Sequence, residues 1–145
     1  MKGPFRPQNP QKYKGNPTNI IYRSSWELHM MLRLDHDPNV ISWQSEELII
    51  PYTNPIDGRF HRYLPDFKVI KKTSDGIKTF VIEIKPHSQC LVPTKGSKGQ
   101  KSHKKYLTEA KTFAQNQAKW QSAQRYCAKY GYTFLVLTEK DLKLW

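Results

Sequence analysis

Two short segments place charged residues inside otherwise apolar runs: Leu64-Pro65-Asp66-Phe67 and Val81-Ile82-Glu83-Ile84-Lys85. A charge among apolar neighbours is costly unless it is paired, so such positions generally have a use. Two carboxylates beside a lysine suit phosphodiester cleavage, in which hard divalent cations with oxygen ligands hold the phosphate, activate water and stabilise the departing oxygen. The chemistry requires that the three side chains meet. The runs flank Thr73-Ser74-Asp75-Gly76, a hairpin turn signal, and residues opposite each other in an antiparallel hairpin share a face. A four-residue turn over 73–76 sets Asp66 opposite Glu83, and a two-residue loop at Asp75-Gly76 sets it opposite Lys85. Glu83 and Lys85 lie two apart and share a face in either register. An odd loop would put Asp66 beside Ile84 and scatter the group. The same three residues also fit an ion-paired triad on a solvated sheet face.

The elements that must position these residues follow from the hydrophobic pattern. Trp26, Met30 and Leu34, with Leu28, Met31 and Leu32, recur at helical spacing behind Ser24 and Ser25, so a first helix is predicted to end near Asp37-Pro38-Asn39. Val40 to Trp43 and Glu47 to Tyr52 are β-rich, and Asp57-Gly58 marks a turn. The hairpin strands are read as Arg62 to Lys71 and Lys78 to Lys85, with a bulge or sheet edge at Pro65, which cannot donate a ladder hydrogen bond. Residues 86–105 hold Pro86, Pro93, Gly96, Gly99, five lysines and no acid, and are predicted to be a long flexible basic loop. Lys104 to Tyr130 lacks Gly and Pro and carries Tyr106, Ala110, Phe113, Trp120 and Cys127 on one helical face, and Gly131 stops it. Tyr132 to Leu137 is a buried strand, followed by a short turn from Thr138. The order implies one α/β domain, an αβββαβ core with a mixed central sheet flanked by helices, spanning 20–145. Residues 1–19 carry four prolines, four basic residues and no acid, and are expected to form an extended basic arm.

Twenty-four Lys and Arg against twelve Asp and Glu leave a net charge of +12, a field that attracts polyanions. Nucleic acid is the first partner to consider. No apolar run approaches the roughly 18 residues a membrane span needs, and the N-terminus lacks a signal-peptide core, so an intracellular protein is expected. Cys90 and Cys127 form no spaced framework; a zinc site with His87 and His103 lacks a second close pair of ligands. Lys95, Lys98, Lys101, Lys104 and Lys105 follow the Glu83–Lys85 strand and suit a DNA clamp. His61 and Arg62 stand near enough to Asp66 in sequence to contact phosphate, whereas His29 and His36 fit surface positions. Lys119, on the long helix, fits either the site or solvent. No helix clusters Arg and Asn for base reading, so weak sequence specificity on double-stranded DNA is expected. No aromatic platform on alternating strand positions favours RNA.

Pro65-Asp66 followed by Glu83-Ile84-Lys85 resembles the Pro-Asp…(Asp/Glu)-x-Lys signature of the restriction-endonuclease-like superfamily. Tyr22-Arg23-Ser24-Ser25-Trp26-Glu27, Ile41-Ser42-Trp43, His61-Arg62-Tyr63, Glu83-Ile84-Lys85-Pro86, Asn116-Gln117-Ala118-Lys119-Trp120 and Leu137-Thr138-Glu139 resemble, more narrowly, the head-completion nucleases of contractile-tailed phages. They are also similar to the endonuclease subunit of heteromeric bacterial transposases. The phage likeness covers nearly the whole chain in the same order. It implies a Mg²⁺-dependent DNA endonuclease, with Mn²⁺ as a substitute. Asp66, Glu83 and the main-chain carbonyl of Ile84 would be the metal ligands, and Lys85 would orient water or stabilise phosphate charge. Glu27 matches the additional acidic position, acting directly or through water; its other reading is an acid that favours the helix N-terminus. Arg23 joins His61, Arg62 and the loop lysines as a DNA contact. The resemblance further implies DNA end processing in the host cytoplasm after packaging, with portal or neck proteins as partners. The competing reading is a non-catalytic DNA-binding virion component that keeps the fold.

Overall fold

The chain, described by a computed structural model over residues 1–94, 102–142 and 145, is organised around a four-stranded sheet in the order β3-β6-β7-β8. Its strands are β3 (Val40–Ser45), β6 (Phe67–Thr73), β7 (Gly76–Ile84) and β8 (Thr133–Leu137). Two two-stranded ribbons attach to it: β1 (Gly3–Phe5) with β2 (Ile20–Tyr22), and β4 (Ile50–Thr53) with β5 (Phe60–Tyr63). Helix α1 (Ser25–His36) precedes β3, and α2 (His103–Tyr130) crosses over from β7 to β8. β8 runs parallel to β7 and the other pairings are antiparallel, so the sheet is mixed and the αβββαβ order holds. A parallel neighbour requires a long crossover, and the uninterrupted helix former from 103 to 130 supplies it.

Helix α1 starts where Ser24 accepts the Glu27 N–H at 3.1 Å, and stops before Pro38, which disfavours helix in the residue ahead of it. Met30, Met31 and Leu34 are buried against Phe67, Val69, Ile82, Ile84 and Leu137 on one face of the sheet. Period-two alternation sends the intervening residues of β7 and β8 to the other face. There Ile50, Tyr52 and Tyr63 of the β4–β5 ribbon pack with Trp120 and Ala123 of α2. Gly131 ends α2 with φ 73°, a left-handed cap that suits glycine.

Three expectations change. The extended arm expected for residues 1–19 is instead built into the domain: β1 pairs with β2, and Phe5 and Tyr13 are buried with their rings 5.9 and 4.8 Å from that of Trp43. The anchor is Asp35, 1% exposed, whose carboxylate accepts the N–H groups of Gln8 at 2.8 Å and Asn9 at 3.0 Å. Prolines and basic charge disguise this packing, because what secures the segment is main-chain donors meeting a distant carboxylate. The strand read as Arg62 to Lys71 is two strands, broken at Leu64-Pro65-Asp66; β5 turns away to pair with β4. Pro65 both lacks the donor a continuous strand needs and fixes the bend. The loop expected over 86–105 begins with a short turn at His87–Cys90, and α2 already starts at His103 behind a Ser102 cap. Lys95, Lys98 and Lys101 lie outside the described residues.

Asp35→Asn would keep the shape but turn an amide NH₂ toward main-chain donors. Destabilisation by about 2 kcal/mol is expected in urea unfolding; an unchanged midpoint would show that the N-terminal segment is held by its apolar contacts alone.

Candidate active site

The β6–β7 register fixes the centre. Phe67 pairs with Ile82 and Thr73 with Gly76, leaving Ser74 and Asp75 as the turn. Extended by one residue, this register sets Asp66 opposite Glu83, the four-residue-turn alternative of the two. Asp66 lies just beyond β6, and its Oδ2 accepts the Ile84 N–H at 2.7 Å. Its carbonyl accepts the Glu46 N–H at 3.2 Å. The side chain is therefore held by β7 and the main chain by the end of β3. Glu83 is 5% exposed, and the Lys85 Nζ stands 3.7 Å from its Oε2.

Desolvation first, then the charge of Glu83, pushes Asp66 up to about 8; the Ile84 N–H and Lys85 oppose this, and Glu27 adds to it. Desolvation also raises Glu83, against the pull of Lys85, Tyr63, Lys119 and the Asp66 amide. The two acids titrate as a pair. Glu27 reaches the same field from α1, so its charge is felt at Asp66 while it also serves the helix: its carboxylate accepts the Ser24 hydroxyl at 3.3 Å and the Arg23 N–H at 3.4 Å. Its hydrogen bonds are those of an acid at a helix N-terminus, and its charge is also felt at Asp66. Its own carboxyl is raised by burial.

Lys119 extends inward from α2, with Nζ 5.8 and 5.9 Å from the ring centres of Tyr52 and Tyr63, and its charge lowers Glu83. Of its two readings, this placement is the one beside Glu83. The Tyr63 hydroxyl is buried without a partner at hydrogen-bonding geometry among the described residues, yet it faces Glu83 closely enough that the carboxylate, after burial itself, raises it. Arg23 is turned onto Glu46, with Nη2 3.2 Å from Oε2. His61 pairs with Asp57 at 2.7 Å, and the exposed Arg62 takes the opposite strand face from Tyr63. Neither is gathered around Asp66. Lys104 and Lys105 are exposed in the first turn of α2, and His29 and His36 are exposed on α1.

Glu46 and Tyr63 are the members of this neighbourhood that the sequence reading does not select. Glu46 adopts φ 52°, left-handed backbone uncommon for a residue with a side chain, and its charge raises Glu27. Its only sequence signal is the position just past an apolar strand. Tyr63 shows a signal in hindsight: it alternates with His61 on a strand leading to Pro65-Asp66.

The donors are carboxylate oxygens, which suit a hard cation. Asp66, Glu83, Glu27 and Glu46 outnumber the nearby ammonium groups, so ionising Asp66 and Glu83 together calls for a further positive charge beside them. Among the described residues no three His, Cys, Asp or Glu side chains close around one point. A Mg²⁺ ion, which usually keeps several waters and takes one or two carboxylates, fits such an incomplete cage.

A mixed sheet with an Asp…Glu-x-Lys centre between two helices defines a restriction-endonuclease-like nuclease fold, and residues 37–139 match the family described as TnsA-like endonuclease N terminal. The chain belongs to that family. It is also 38% identical over 142 residues to the head completion nuclease of Enterobacteria phage T4, covering 97% of this chain and 93% of the phage protein.

Without divalent cations, the folded chain keeps at Asp66 a proton that the unfolded chain releases near pH 4, so stability falls as pH rises from there to about 8. Asp66→Asn retains an acceptor for the Ile84 N–H and removes the charge. It should gain about 1–2 kcal/mol at pH 8 and little at pH 4 in urea unfolding; a loss at pH 8 would show that the carboxylate is stabilising as an anion.

Proposed function

We propose that this chain is a Mg²⁺-dependent DNA endonuclease, active with Mn²⁺ in its place, that processes DNA ends during phage head completion. The observation that carries the reading is the placement of Asp66 opposite Glu83, the one part-exposed and the other buried, with Lys85 beside Glu83. Asp66, Glu83 and the Ile84 carbonyl would hold the metal, with Glu27 contributing through water. When bound, the ion would polarise the phosphate and lower the pKa of the attacking water.

The remaining work falls to the protein. The Ile84 N–H fixes the rotamer of Asp66. Lys85 stands beside Glu83, where its ammonium can orient the nucleophile or stabilise charge on the phosphate. Lys119 brings a second positive charge to the same carboxylate from the covering helix. A non-catalytic virion component would have no use for two adjacent acids that repel each other in a poorly hydrated site, which favours the enzyme reading. The head-completion role rests on the similarity to the T4 protein. It would consist in trimming DNA that protrudes from the filled head in the host cytoplasm, near portal or neck proteins.

Purified protein with supercoiled plasmid tests the chemistry. Cleavage is expected with Mg²⁺ or Mn²⁺ and not in chelator, with Ca²⁺ supporting binding and little turnover. Asp66→Asn, Glu83→Gln and Lys85→Ala should each lose at least about a hundredfold in rate, with duplex affinity kept in Asp66→Asn. Undiminished cleavage in chelator would sink the metal assignment.

The duplex is expected to be held through phosphates by Lys95, Lys98, Lys101, Lys104 and Lys105, with Arg23 and Arg62 at the margins. Replacing Lys95, Lys98 and Lys101 together should flatten the slope of log affinity against log salt by about 0.9 per lost contact. An unchanged slope would place the DNA elsewhere.

A further inference from the structure

A cleft of about 550 Å³ lies between the chain leaving β7 and the first half of α2, lined by Gln89, Leu91, Val92, Thr112, Phe113 and Asn116 among others. Both of its walls continue from the proposed catalytic centre. One runs on from Lys85 at the end of β7; the other runs back along α2 from Lys119, with Asn116 one helical turn, about 5 Å, before it. The cleft is therefore the space into which a substrate held at Asp66 and Glu83 would extend.

Asn116 gives the cleft its chemistry. It is 4% exposed, and its side-chain amide has no hydrogen-bond partner among the described residues. The residue is buried, but its amide is not among the fully enclosed polar atoms, so it opens onto the cleft it lines. It offers a donor and an acceptor side by side, the arrangement that matches the edge of a nucleobase. Phe113, with Leu91 and Val92 exposed at 55% and 71% on the other wall, supplies apolar surface for the face of a base. Lys119, one turn along α2 from Asn116, brings positive charge to the end next to the centre. A phosphate is therefore better placed at the Lys119 end, with the base inside.

We infer that this cleft receives an unpaired nucleotide of the DNA substrate, adjacent to the phosphate held at Asp66 and Glu83, with Phe113 beside the base and Asn116 on its edge. The inference rests on the nuclease reading and deepens it, since it makes a frayed end or a single-stranded overhang a better substrate than uninterrupted duplex.

The test uses the full chain and two oligonucleotide duplexes, one blunt and one with an overhang bearing a fluorescent adenine analogue. Binding is measured in chelator, so that the readout does not depend on cleavage. The parent protein should bind the overhang about tenfold more tightly and quench its fluorescence. Asn116→Leu should abolish that preference without lowering the unfolding midpoint, because the amide has no partner to lose. Phe113→Ala should reduce the quenching. Equal affinity of the parent protein for both duplexes, or an Asn116→Leu protein that keeps the preference, would overturn the inference. So would a marked loss of stability in that variant, which would make the amide structural. Mg²⁺-dependent cleavage of the blunt duplex, measured alongside, reports on the nuclease reading separately.

Discussion

The structure turns on holding two carboxylic acids side by side where water is scarce. Their charges repel and their burial is unfavourable, so the arrangement lasts only because the backbone leaves them no alternative. The antiparallel register of β6 and β7 sets Asp66 opposite Glu83, and the hydrogen bond from Ile84 N–H to Asp66 takes a ladder donor and spends it on a side chain. The rest of the fold serves to make that pairing rigid. α1 and the N-terminal ribbon bury one face of the hairpin; α2 and the β4–β5 ribbon cover the other.

At Asp66 the electrostatics of folding and those of the proposed metal site pull in opposite directions. A carboxyl pushed up by desolvation and by its neighbour is a strained component of the apoprotein. The same deficit of positive charge is what would make the site attractive to a divalent cation. Lys85 and Lys119 relieve part of it without removing it. Both pull Glu83 down, and of the two Lys85 also pulls on Asp66, so the two acids are not held alike.

Much of the centre was legible in the sequence because a charge within an apolar strand is a local signal, and hairpin parity decides whether such charges meet. Asp66, Glu83 and Lys85 could be brought together from spacing alone, and Ser24 and Gly131 marked the two helix ends. What was not legible depended on distant partners. The seating of residues 1–19 relies on the Asp35 carboxylate meeting the amides of Gln8 and Asn9, and no periodicity encodes such a contact. Glu46 enters the site through a left-handed backbone and a hydrogen bond to the Asp66 carbonyl, neither of which composition reveals. The surroundings of His61 and Arg62 were not legible either: proximity in sequence to Asp66 ends at Pro65, where the strand breaks and the two residues leave with β5.

The crossover from β7 to β8 has a consequence for synthesis. The β6–β7 hairpin closes over a two-residue turn, so its contacts are local and can form soon after they emerge. β8 pairs in parallel only after the whole of α2 has been made, and α2 carries Lys119 and the side chains that cover Tyr52 and Tyr63. A nascent chain therefore holds Asp66 and Glu83 in a hairpin open to water on its α2 side until α2 and β8, which ends at Leu137, have been added. Domains complete themselves in order as they leave the ribosome. Here the acids come early and the helix that encloses them comes late, so a truncated product would carry the reactive side chains without the enclosure that gives them their unusual acidity.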